Sequence, residues 1–249
     1  MKVSIITATF NSEKTILDTL KSLEQQTYKN IEYIVVDGAS SDKTIELIRK
    51  NCTRITKVVC EPDQGIYDAL NKGIIASTGD VIGFLHSDDL FASNSAVESI
   101  VTKFKSTGCD AVYGDLKYVA YDDTSKIIRL WKSGEYNLSR ITSGWMPPHP
   151  TFFMKREFYE KYGVFDLSFK IAADYDSLLR YIWINKISLA YLPEVITLMR
   201  VGGASNRSLK NIFQKTNEDI RALSKNKIPV LKAILMKNIS KIPQFIFKK

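Results

Sequence analysis

The chain has 249 residues, of which 45% are hydrophobic and 25% are charged, so it can bury one substantial core and is not a disordered chain. Its formal net charge is +8. Residues 201–249 carry 11 Lys or Arg against 2 Asp or Glu, which leaves 24 basic and 25 acidic residues in residues 1–200. The positive charge therefore belongs to the end of the chain, and this pattern disfavours a nucleic-acid-binding protein.

The first residues and the cysteines point to a reducing compartment. Polar Thr7 and Thr9 interrupt the first apolar run, which is too short for a signal peptide, so we expect no export. Cys52, Cys60 and Cys109 lack the spacing of metal ligands, and an odd number does not suit a disulfide framework. The sequence therefore predicts a cytoplasmic protein.

Over the first hundred residues, short β-branched runs alternate with amphipathic stretches, a pattern typical of βαβ units around a mostly parallel sheet. The runs predicted to be strands are Val3–Thr7, Ile31–Val36, Thr56–Cys60 and Val81–Leu85. Ser12 and Ser41 are expected to cap two helices. The predicted helices follow Ser12, run over Asp42–Asn51 and Ile66–Ala76, and begin again near Asn94. We therefore expect a Rossmann-like α/β domain, with the sheet flanked by helices.

Beyond Asp110 the pattern is mixed and indicates a smaller second half. Two strands are predicted at Ala111–Val119 and Ile127–Trp131, and a strand pair is predicted around Leu189–Leu198. An unusual Trp-Met-Pro-Pro-His-Pro loop at 145–150 precedes a predicted helix from about Ala173 to Ile184.

Two adjacent carboxylates, Asp88 and Asp89, follow the fourth predicted strand. Ligands of open α/β sheets bind at the carboxyl ends of the strands, so this pair should lie near Thr7–Thr9 and Asp37. Two carboxylates at a buried strand end are costly unless a cation compensates them, and hard oxygen ligands suit Mg²⁺ or Mn²⁺. The alternative is a helix N-cap, because another helix is predicted to begin near Asn94.

Other polar side chains are candidates for binding a ligand at the same edge. Asp37 ends the second strand and can accept a hydrogen bond from uracil, thymine or guanine, or can simply form a turn. The Gly38 backbone after it permits close approach of a ligand. Asp63 lies in a turn and can meet a ribose or sugar hydroxyl, whereas Asn71 can be a ligand contact or an ordinary buried amide.

Asp174 and Asp176 stand at the start of a predicted helix, and because they are two residues apart they point in different directions. One of them can face the crevice as a general base for a hydroxyl group, while the other caps the helix or pairs with Arg180. The alternative for both is the favourable placement of acidic residues in the first turn of a helix.

In this order and spacing, five segments resemble glycosyltransferase family 2, a family of GT-A fold that includes many bacterial O-antigen and exopolysaccharide enzymes. The resemblance runs from Val3 to about Ser205 and is carried by Ser4–Asn11, Val35–Asp42, Asp63–Gly73, Thr78–Asp80 and Ser87–Asp89. It implies a GT-A catalytic domain over residues 1–205, with a nucleotide-sugar-binding half at 1–110 and an acceptor half at 111–205. Residues 206–249 would form a basic C-terminal helical extension.

The resemblance implies that Asp88 and Asp89 hold Mn²⁺ or Mg²⁺, with Asp89 as the expected direct ligand. It also implies that Asp174 is the catalytic base, although Ala173 stands where many relatives carry an acidic neighbour of the base. The residues expected to contact the nucleotide sugar are Thr7, Ala8, Thr9, Asp37, Asp63, Gly65, Asp68, Asn71 and Asp88.

Two histidines flank these positions. His149 is a candidate contact of donor phosphate or acceptor hydroxyls, as is Asp176, and the alternative for His149 is a structural loop histidine. His86 is expected to orient the Asp88–Asp89 turn rather than to bind the metal.

The implied reaction is the inverting, metal-dependent transfer of one sugar from a nucleotide-diphosphate sugar, with a UDP-sugar favoured, to a saccharide acceptor. We expect a lipid-linked acceptor and a role in surface polysaccharide synthesis, such as lipopolysaccharide O-antigen, capsule or exopolysaccharide. The Gln-x-x-Arg-Trp motif of processive relatives is absent, which predicts one sugar per encounter. The other hypotheses are a sugar nucleotidyltransferase, whose usual Gly-rich basic loop is missing at residues 7–11, and a non-catalytic nucleotide-sugar-binding subunit.

The end of the chain, residues 228–249, mixes apolar residues with lysines. At helical pitch Lys237 and Lys241 lie off an apolar face that suits a helix on an anionic membrane surface. The alternative is a helix packed on the catalytic domain. We expect a cytoplasmic protein bound peripherally to the inner face of the cytoplasmic membrane. The residues of the apolar face are Leu231, Ile234, Leu235, Ile239 and Ile242.

Overall fold

The structure is a computed structural model and describes residues 1–202 and 209–239. In these ranges the strands are β1 (Val3–Thr9), β2 (Ile31–Asp37), β3 (Ile55–Cys60), β4 (Val81–Phe84), β5 (Leu90–Phe91), β6 (Ala111–Val119), β7 (Ile127–Trp131), β8 (Phe153–Lys155) and β9 (Leu189–Arg200). The α-helices are α1 (Ile16–Glu24), α2 (Thr44–Asn51), α3 (Ile66–Ala76), α4 (Ala96–Thr107), α5 (Leu138–Thr142), α6 (Arg156–Tyr162), α7 (Ala173–Leu179), α8 (Leu209–Lys225) and α9 (Val230–Ile239). A 3-10 turn covers His149–Thr151, and a π-helical stretch, Arg180–Ile184, continues α7.

The strands form one sheet in the order β3-β2-β1-β4-β8-β6-β9-β5, and β7 pairs with the outer part of β6. The first four strands in this order are parallel, and their register places Thr9 at the end of β1 directly opposite Asp37 at the end of β2. Strand β8 joins the two halves because it runs antiparallel to both β4 and β6. The sheet is therefore parallel over β3, β2, β1 and β4 and mixed beyond these strands.

Helices cover both faces of the sheet, as the side chains of β1 illustrate. Successive residues of a strand point to opposite faces. Val3 and Ile5 pack in a core with α1, α2 and α4, whereas Ile6 and Ala8 pack in a second core with α3 and α7. Every residue of β1 is buried, as is usual for a central parallel strand covered on both sides. The predicted layered α/β fold class is confirmed.

Some local predictions were wrong at their boundaries. Helices α1 and α2 are preceded by Thr15 and Lys43 rather than capped by Ser12 and Ser41. Residues around Leu189–Leu198 form the single long strand β9, not a strand pair. The register with β6 shifts between Tyr191 and Val195, so the chain bulges there and continues beside β6 instead of reversing.

The last two helices pack on the body of the protein. Ala222 of α8 and Ala233 of α9 are fully buried and belong to the same core as Ile6. Lys237 lies on the buried side of α9, where its Nζ is 2.9 Å from Asp219 Oδ2. Lys237 does lie off the residues Leu231, Leu235 and Ile239, but it faces the protein, where a buried carboxylate on α8 compensates its charge.

Parts of the predicted tail and the predicted domain boundary at residues 205 and 206 lie outside the described residues, as do Lys241 and Ile242. In the described parts, no helix combines the length and apolar character required to cross a bilayer. All three cysteines are free, with Cys52 and Cys109 buried and Cys60 exposed.

Candidate active site

The carboxyl ends of β1 and β2 form one side of the site. Thr7 is fully buried, with its hydroxyl 2.6 Å from the Leu85 carbonyl oxygen and 3.0 Å from the Tyr33 hydroxyl. Ala8 packs in the core beneath α3. The side chains of Thr7 and Ala8 therefore stabilise the sheet. Thr9 differs, because its buried hydroxyl has no hydrogen-bond partner and can bond a ligand.

Asp37 adopts the turn geometry that was the alternative to base recognition. Its two carboxylate oxygens accept hydrogen bonds from the Ser40 hydroxyl at 2.5 Å and the Ser40 N–H at 2.8 Å, and the Cys60 thiol lies 3.3 Å away. The residue is 0% exposed. A nucleobase can therefore contact Asp37 only if this turn opens or if the base reaches the edge of the Asp37 carboxylate. Recognition of the base by Asp37 stays a prediction.

Because Gly38 has no side chain, Asp63 and Phe10 can pack against the end of β2. A Cβ atom at this position would collide with the Asp63 carboxylate and would lie 3.4 Å from the Phe10 ring. Phe10 itself is 61% exposed, an unusual position for a phenylalanine at the mouth of a polar crevice. Phe10 was not among the predicted site residues, although its place directly after Thr9 marked it as lying at the strand end.

The turn before α3 carries several predicted contacts that have local bonds instead. Asp63 Oδ1 accepts a hydrogen bond from the Gly65 N–H at 2.8 Å, and Gly65 adopts a φ of +115° as it begins the helix. Asp68 Oδ2 accepts from the Gln64 N–H at 3.0 Å and faces Lys72 at 3.5 Å. Asp68 thus bonds the residue before the N-cap Gly65 and holds the turn that leads into α3.

For Asn71, the structure agrees with the second of the two interpretations, an ordinary buried amide. Its Nδ2 donates to the Phe165 carbonyl oxygen at 2.9 Å, and its Oδ1 accepts from the Phe165 N–H at 2.9 Å. A ligand contact would break this pair, so the geometry argues against Asn71 as part of the binding surface.

The Asp88–Asp89 turn lies against α1 and is held there by hydroxyl groups. The Thr15 hydroxyl donates to the Ser87 carbonyl oxygen at 2.9 Å, and the Thr19 hydroxyl donates to the Asp89 carbonyl oxygen at 2.8 Å. The N-cap alternative is wrong, because α4 begins only at Ala96 and the short strand β5 intervenes. The two carboxylates are therefore available for another purpose.

Arg200, at the end of β9, joins this turn from the opposite side. Its backbone N–H lies 3.3 Å from Asp89 Oδ1, and its guanidinium donates to the Asp88 carbonyl oxygen at 2.8 Å and to the Tyr121 carbonyl oxygen at 2.9 Å. The same guanidinium pairs with Asp18 on α1. Arg200 was not predicted, because its partners are brought to it only by the pairing of β9.

Asp88 and Asp89 have different surroundings. The half-buried Asp88 borders a cavity of about 490 Å³, whereas Asp89 is 1% exposed and its Oδ2 has no hydrogen-bond partner. Burial, reinforced by the Asp88 carboxylate, raises the pKa of Asp89 well above its usual range. The other residues around the cavity are Phe10, Asn11, Ser12, Glu13, Lys14, Thr15, Asp42, Ser87 and Tyr121.

These two carboxylates fit a divalent cation that shares its coordination with a ligand. A group of three or more His, Cys, Asp or Glu side chains able to hold a metal does not occur in residues 1–202 and 209–239. Mg²⁺ in nucleotide sites commonly takes only one or two protein carboxylates and completes its shell with phosphates and water. The unpaired Oδ2 of Asp89 is the buried polar atom that such a cation would satisfy.

Two histidine rings lie between the turn and the second half. His149 is buried, stacks on Phe84 with ring centroids 5.0 Å apart, and leaves its Nε2 without a partner. Burial lowers the pKa of His149 to about 3, so the ring is neutral. Burial also lowers the pKa of His86, which the Asp88 and Asp174 carboxylates raise in part. His86 therefore lies close enough to both carboxylates to feel their charge.

Asp174, on α7, is a further carboxylate close enough to His86 to act on its pKa. Its Oδ1 accepts hydrogen bonds from the Tyr175 N–H at 2.8 Å and from the Tyr67 hydroxyl at 3.1 Å. Its Oδ2 makes no hydrogen bond to the residues that the structure describes. Tyr67 was not a predicted site residue, although it lies inside Asp63–Gly73, one of the segments that resemble the family. One oxygen of Asp174 is thus held in place while the other can accept a proton.

The prediction that Asp176 contacts the donor or acceptor is contradicted. Asp176 is 0% exposed, and its oxygens lie 3.1 Å from Lys225 Nζ and 3.1 Å from Asn226 Nδ2. The expected pair with Arg180 is also absent, since Arg180 donates to the Val164 carbonyl oxygen at 2.6 Å instead. Asp176 therefore attaches α7 to the end of α8.

The arrangement of the sheet defines a class of fold. A sheet with a parallel first part, mixed beyond it and covered by helices on both faces, is also the fold of solved glycosyltransferase structures. The chain belongs to Glycosyl transferase family 2, with residues 4–171 matching that family. The family and enzyme class predicted from the sequence are confirmed.

A curated relative and several solved structures are similar to the chain. Uncharacterized glycosyltransferase MT1564 of Mycobacterium tuberculosis is 33% identical over 180 residues, which are 72% of this chain and 68% of that protein. S. aureus TarS 1-349 in complex with UDP-GlcNAc has a TM-score of 0.68 at 16% identity, over 100% of this chain and 74% of that one. A longer TarS chain has a TM-score of 0.69, and this chain spans 42% of its length.

An archaeal structure has the same fold. The mannosyltransferase PcManGT from Pyrobaculum calidifontis, in complex with GDP-Man and Mn²⁺, has a TM-score of 0.67 at 18% identity, over 98% of this chain and 73% of that one. The comparison extends the fold over nearly the whole chain, including the helices beyond the family match.

Proposed function

We propose that this glycosyltransferase transfers one sugar from a nucleotide-diphosphate sugar to a saccharide acceptor with inversion at the anomeric carbon. The observation that carries the proposal is the placement of two carboxylate groups around His86. Asp88 and Asp174 both lie near enough to His86 to raise its pKa in part. Asp88 borders the cavity, and one oxygen of Asp174 has no hydrogen bond to the residues that the structure describes. A single displacement needs a base on one side of the reacting carbon and a leaving diphosphate on the other.

In the proposed reaction, Asp174 Oδ2 takes the proton of an acceptor hydroxyl. The acceptor oxygen forms its bond to the anomeric carbon as the bond to the diphosphate oxygen breaks, which inverts the configuration. The Tyr67 hydroxyl and the Tyr175 N–H hold Oδ1, so the carboxylate keeps its orientation while it is charged.

The cofactor in this proposal is Mn²⁺ or Mg²⁺, held by Asp88 and by the unpaired Oδ2 of Asp89. When bound, such a cation neutralises charge on the departing nucleoside diphosphate. Arg200 keeps the two carboxylates in register by bonding the backbone of Asp88 and the side chain of Asp89. The Arg200 contacts support a preorganised site, since groups that hydrogen-bond to metal-binding residues fix the orientation of those residues.

For the donor, we propose a UDP-sugar whose base lies at the ends of β1 and β2. The exposed Phe10 ring offers a stacking surface, and Thr9 offers an unpaired hydroxyl. The similarity of the fold to TarS with UDP-GlcNAc favours uridine, while the similarity to PcManGT with GDP-Man makes guanosine the competing base. Residues 1–110 would then hold the donor and residues 111–205 the acceptor.

A transfer assay tests the proposal. The full chain is incubated with UDP-, GDP- and dTDP-sugars, with Mn²⁺ or EDTA, and both sugar transfer or hydrolysis and the anomeric configuration of the product are measured. The expected result is turnover of a UDP-sugar that requires the cation and inverts configuration. Donor binding without turnover would support the non-catalytic alternative, and retention of configuration would contradict the proposed mechanism.

We further propose that the acceptor is lipid-linked and that α9 places the enzyme on the inner face of the cytoplasmic membrane, in the synthesis of a surface polysaccharide. Leu231, Leu235 and Ile239 recur at a spacing of four on the solvent side of α9, and Leu231 is 88% exposed. Lys232 is exposed next to them. The ten residues after Ile239 add three lysines and no acidic residue. Apolar residues flanked by lysines favour an anionic bilayer surface.

Cosedimentation with vesicles tests the membrane proposal. The full chain should pellet with vesicles that contain anionic phospholipid and stay in solution with purely zwitterionic ones. The double variant Leu231→Glu and Leu235→Glu should lose this binding while it remains folded, because both residues face solvent. Ile75→Glu, on α3, is the matched control at an exposed apolar residue. Equal pelleting of the double variant and the control would refute α9 as the membrane contact.

A further inference from the structure

Helix α8 lies beyond residues 4–171, the part of the chain that matches the family, yet one of its side chains reaches the segment before the proposed base. Glu218 Oε2 accepts hydrogen bonds from the N–H groups of Ile171 at 2.8 Å and Ala172 at 2.9 Å. Both of its oxygens lie 3.1 Å from the Lys170 N–H. One carboxylate therefore binds three consecutive backbone donors.

These donors lie in the segment that leads into α7, and the last of them, the Ala172 N–H, is at the N-cap of the helix. The N–H groups at the start of a helix lack partners within the helix. Ala172 precedes α7 and has no side chain that could bond them. Glu218 supplies the missing acceptor from 46 residues further along the chain. A carboxylate at this position also suits the positive end of the helix dipole.

The surroundings of Glu218 keep it charged. Burial alone would raise the pKa of Glu218, but hydrogen bonds from the Ile171 N–H, the Gln214 side chain and the N–H groups of Ala172 and Lys170 hold it below its usual value. Gln214 contributes its Nε2, which lies 2.9 Å from Glu218 Oε1. The carboxylate therefore remains ionised, and the bonds to the backbone persist, at neutral pH.

The segment that Glu218 holds is bonded in turn to the partner of the base. The Tyr67 hydroxyl lies 2.6 Å from the Ile171 carbonyl oxygen and 3.1 Å from Asp174 Oδ1. A shift of Ile171 would move Tyr67, and with it one of the two groups that orient Asp174. The contacts thus form a continuous chain from Glu218 to the proposed base.

We propose that Glu218 is a positioning residue for Asp174. It acts from α8 by fixing the backbone at 170–172 rather than by touching substrate. This inference rests on the proposed role of Asp174 as the base. Helix α8 is therefore part of the catalytic apparatus and not only an appendage.

Loss of Glu218 should leave the fold intact, because α8 has a second attachment to α7. Asp176 is bonded by Lys225 and Asn226 at the end of α8, independently of Glu218. The buried Ala222 and Leu223 also anchor α8 in the core. Removal of the Glu218 carboxylate should consequently relax the segment 170–172 locally.

The test compares Glu218→Ala and Glu218→Gln in the full chain, by turnover number, donor and acceptor KM, and calorimetric binding of the nucleoside diphosphate. Glu218→Ala should lower kcat on the order of 10²-fold, as expected when a catalytic group loses its orientation, with donor affinity unchanged. Glu218→Gln should recover part of the rate, because its amide oxygen can still accept backbone hydrogen bonds. A loss of kcat without a loss of donor affinity, partly restored by Glu218→Gln, would not follow from a purely structural role.

Lys225→Gln is the matched control, since Lys225 also lies on α8 but bonds Asp166 and Asp176 rather than the backbone at 170–172. It should lower the melting temperature without lowering kcat. A wild-type kcat in Glu218→Ala, or an equal fall of kcat in Lys225→Gln, would overturn the inference. Asp174→Asn is measured in parallel. If Asp174→Asn is inactive and Glu218→Ala is fully active, the proposed role of Glu218 is refuted and that of Asp174 stands. If Asp174→Asn is active, the assignment of Asp174 as the base is refuted.

Discussion

Asp37, on the proposed nucleoside side of the crevice, and the carboxylate-bearing segments of the proposed catalytic side are held by contacts of different range. On the nucleoside side, Asp37 bonds Ser40, only three residues later. On the catalytic side, Arg200 bonds Asp88 across 112 residues, and Glu218 bonds the residue before α7 across 46. Two side chains near the end of the chain thus fix the groups that are proposed to perform the reaction.

This difference suggests that donor recognition and turnover can be altered separately. Changes at the ends of β1 and β2 should act mainly on donor affinity, because the turns there carry their own hydrogen bonds. Changes in residues that brace the catalytic side should act mainly on metal affinity or turnover. The following predictions test this separation, in order of decreasing expected effect.

Asp174→Asn should give the largest effect. The amide cannot accept a proton, so transfer should fall on the order of 10³-fold, while binding of the nucleoside diphosphate is retained. Single-turnover transfer and calorimetric binding measure the two quantities. Asp176→Asn is the control, because Asp176 is buried in contacts with α8 and should affect melting temperature instead. Wild-type transfer by Asp174→Asn would exclude Asp174 as the base.

Asp89→Ala should lower metal-dependent transfer by less than Asp174→Asn does, because Asp88 still offers a carboxylate to the cation, and the effect of the cation on stability should depend on pH. Burial raises the pKa of Asp89 above its value in the unfolded chain. Without a cation, the folded protein therefore loses stability as the pH rises from the pKa of the unfolded state to the higher pKa of the folded state. A cation binds the deprotonated carboxylate. Mn²⁺ should therefore raise the melting temperature more at mildly alkaline than at mildly acidic pH.

Scanning calorimetry with Mn²⁺ or EDTA measures this pH dependence. The variant Asp89→Asn should remove it, because the amide does not titrate. An equal effect of Mn²⁺ at both pH values in the unmodified protein would mean that Asp89 does not bind the cation.

Arg200→Lys should weaken the metal site without removing a metal ligand. Lysine keeps the positive charge but cannot bond Asp18, Asp88 and Tyr121 at once. Loss of such a bracing residue typically costs about 10- to 100-fold in metal affinity. The concentration of Mn²⁺ that gives half-maximal transfer measures the change. Arg156→Lys, whose partner Glu160 lies largely in solvent, should show none.

Phe10→Ala should give the smallest effect, confined to donor affinity. Stacking of a base on an aromatic ring is worth about 1–3 kcal/mol, and for the exposed Phe10 ring we expect the lower end, about 1 kcal/mol, which is a rise of the donor KM of about fivefold. The turnover number should be unchanged, and Phe10→Tyr should restore the KM. A fall in turnover instead would mean that the nucleoside side and the catalytic side are coupled after all.

Much of the fold follows from local patterns. The β-branched runs gave four strands of the parallel sheet, because burial on both faces selects continuous apolar residues in β1 and β2. The rule that ligands bind at carboxyl strand ends placed Thr9 near Asp37, and the register confirms that they are opposite each other. The adjacent carboxylates Asp88 and Asp89 were located in the same way.

The sequence alone therefore determined the fold class, the family and the edge of the sheet at which the crevice lies, because these depend on periodicity and on short segments. It did not determine which side chains face that crevice. Asn71 bonds Phe165, Asp176 bonds α8, and Glu218 caps α7 only because distant elements meet in the folded chain. Such contacts arise from packing between segments far apart in the sequence, and only the tertiary structure brings these residues together.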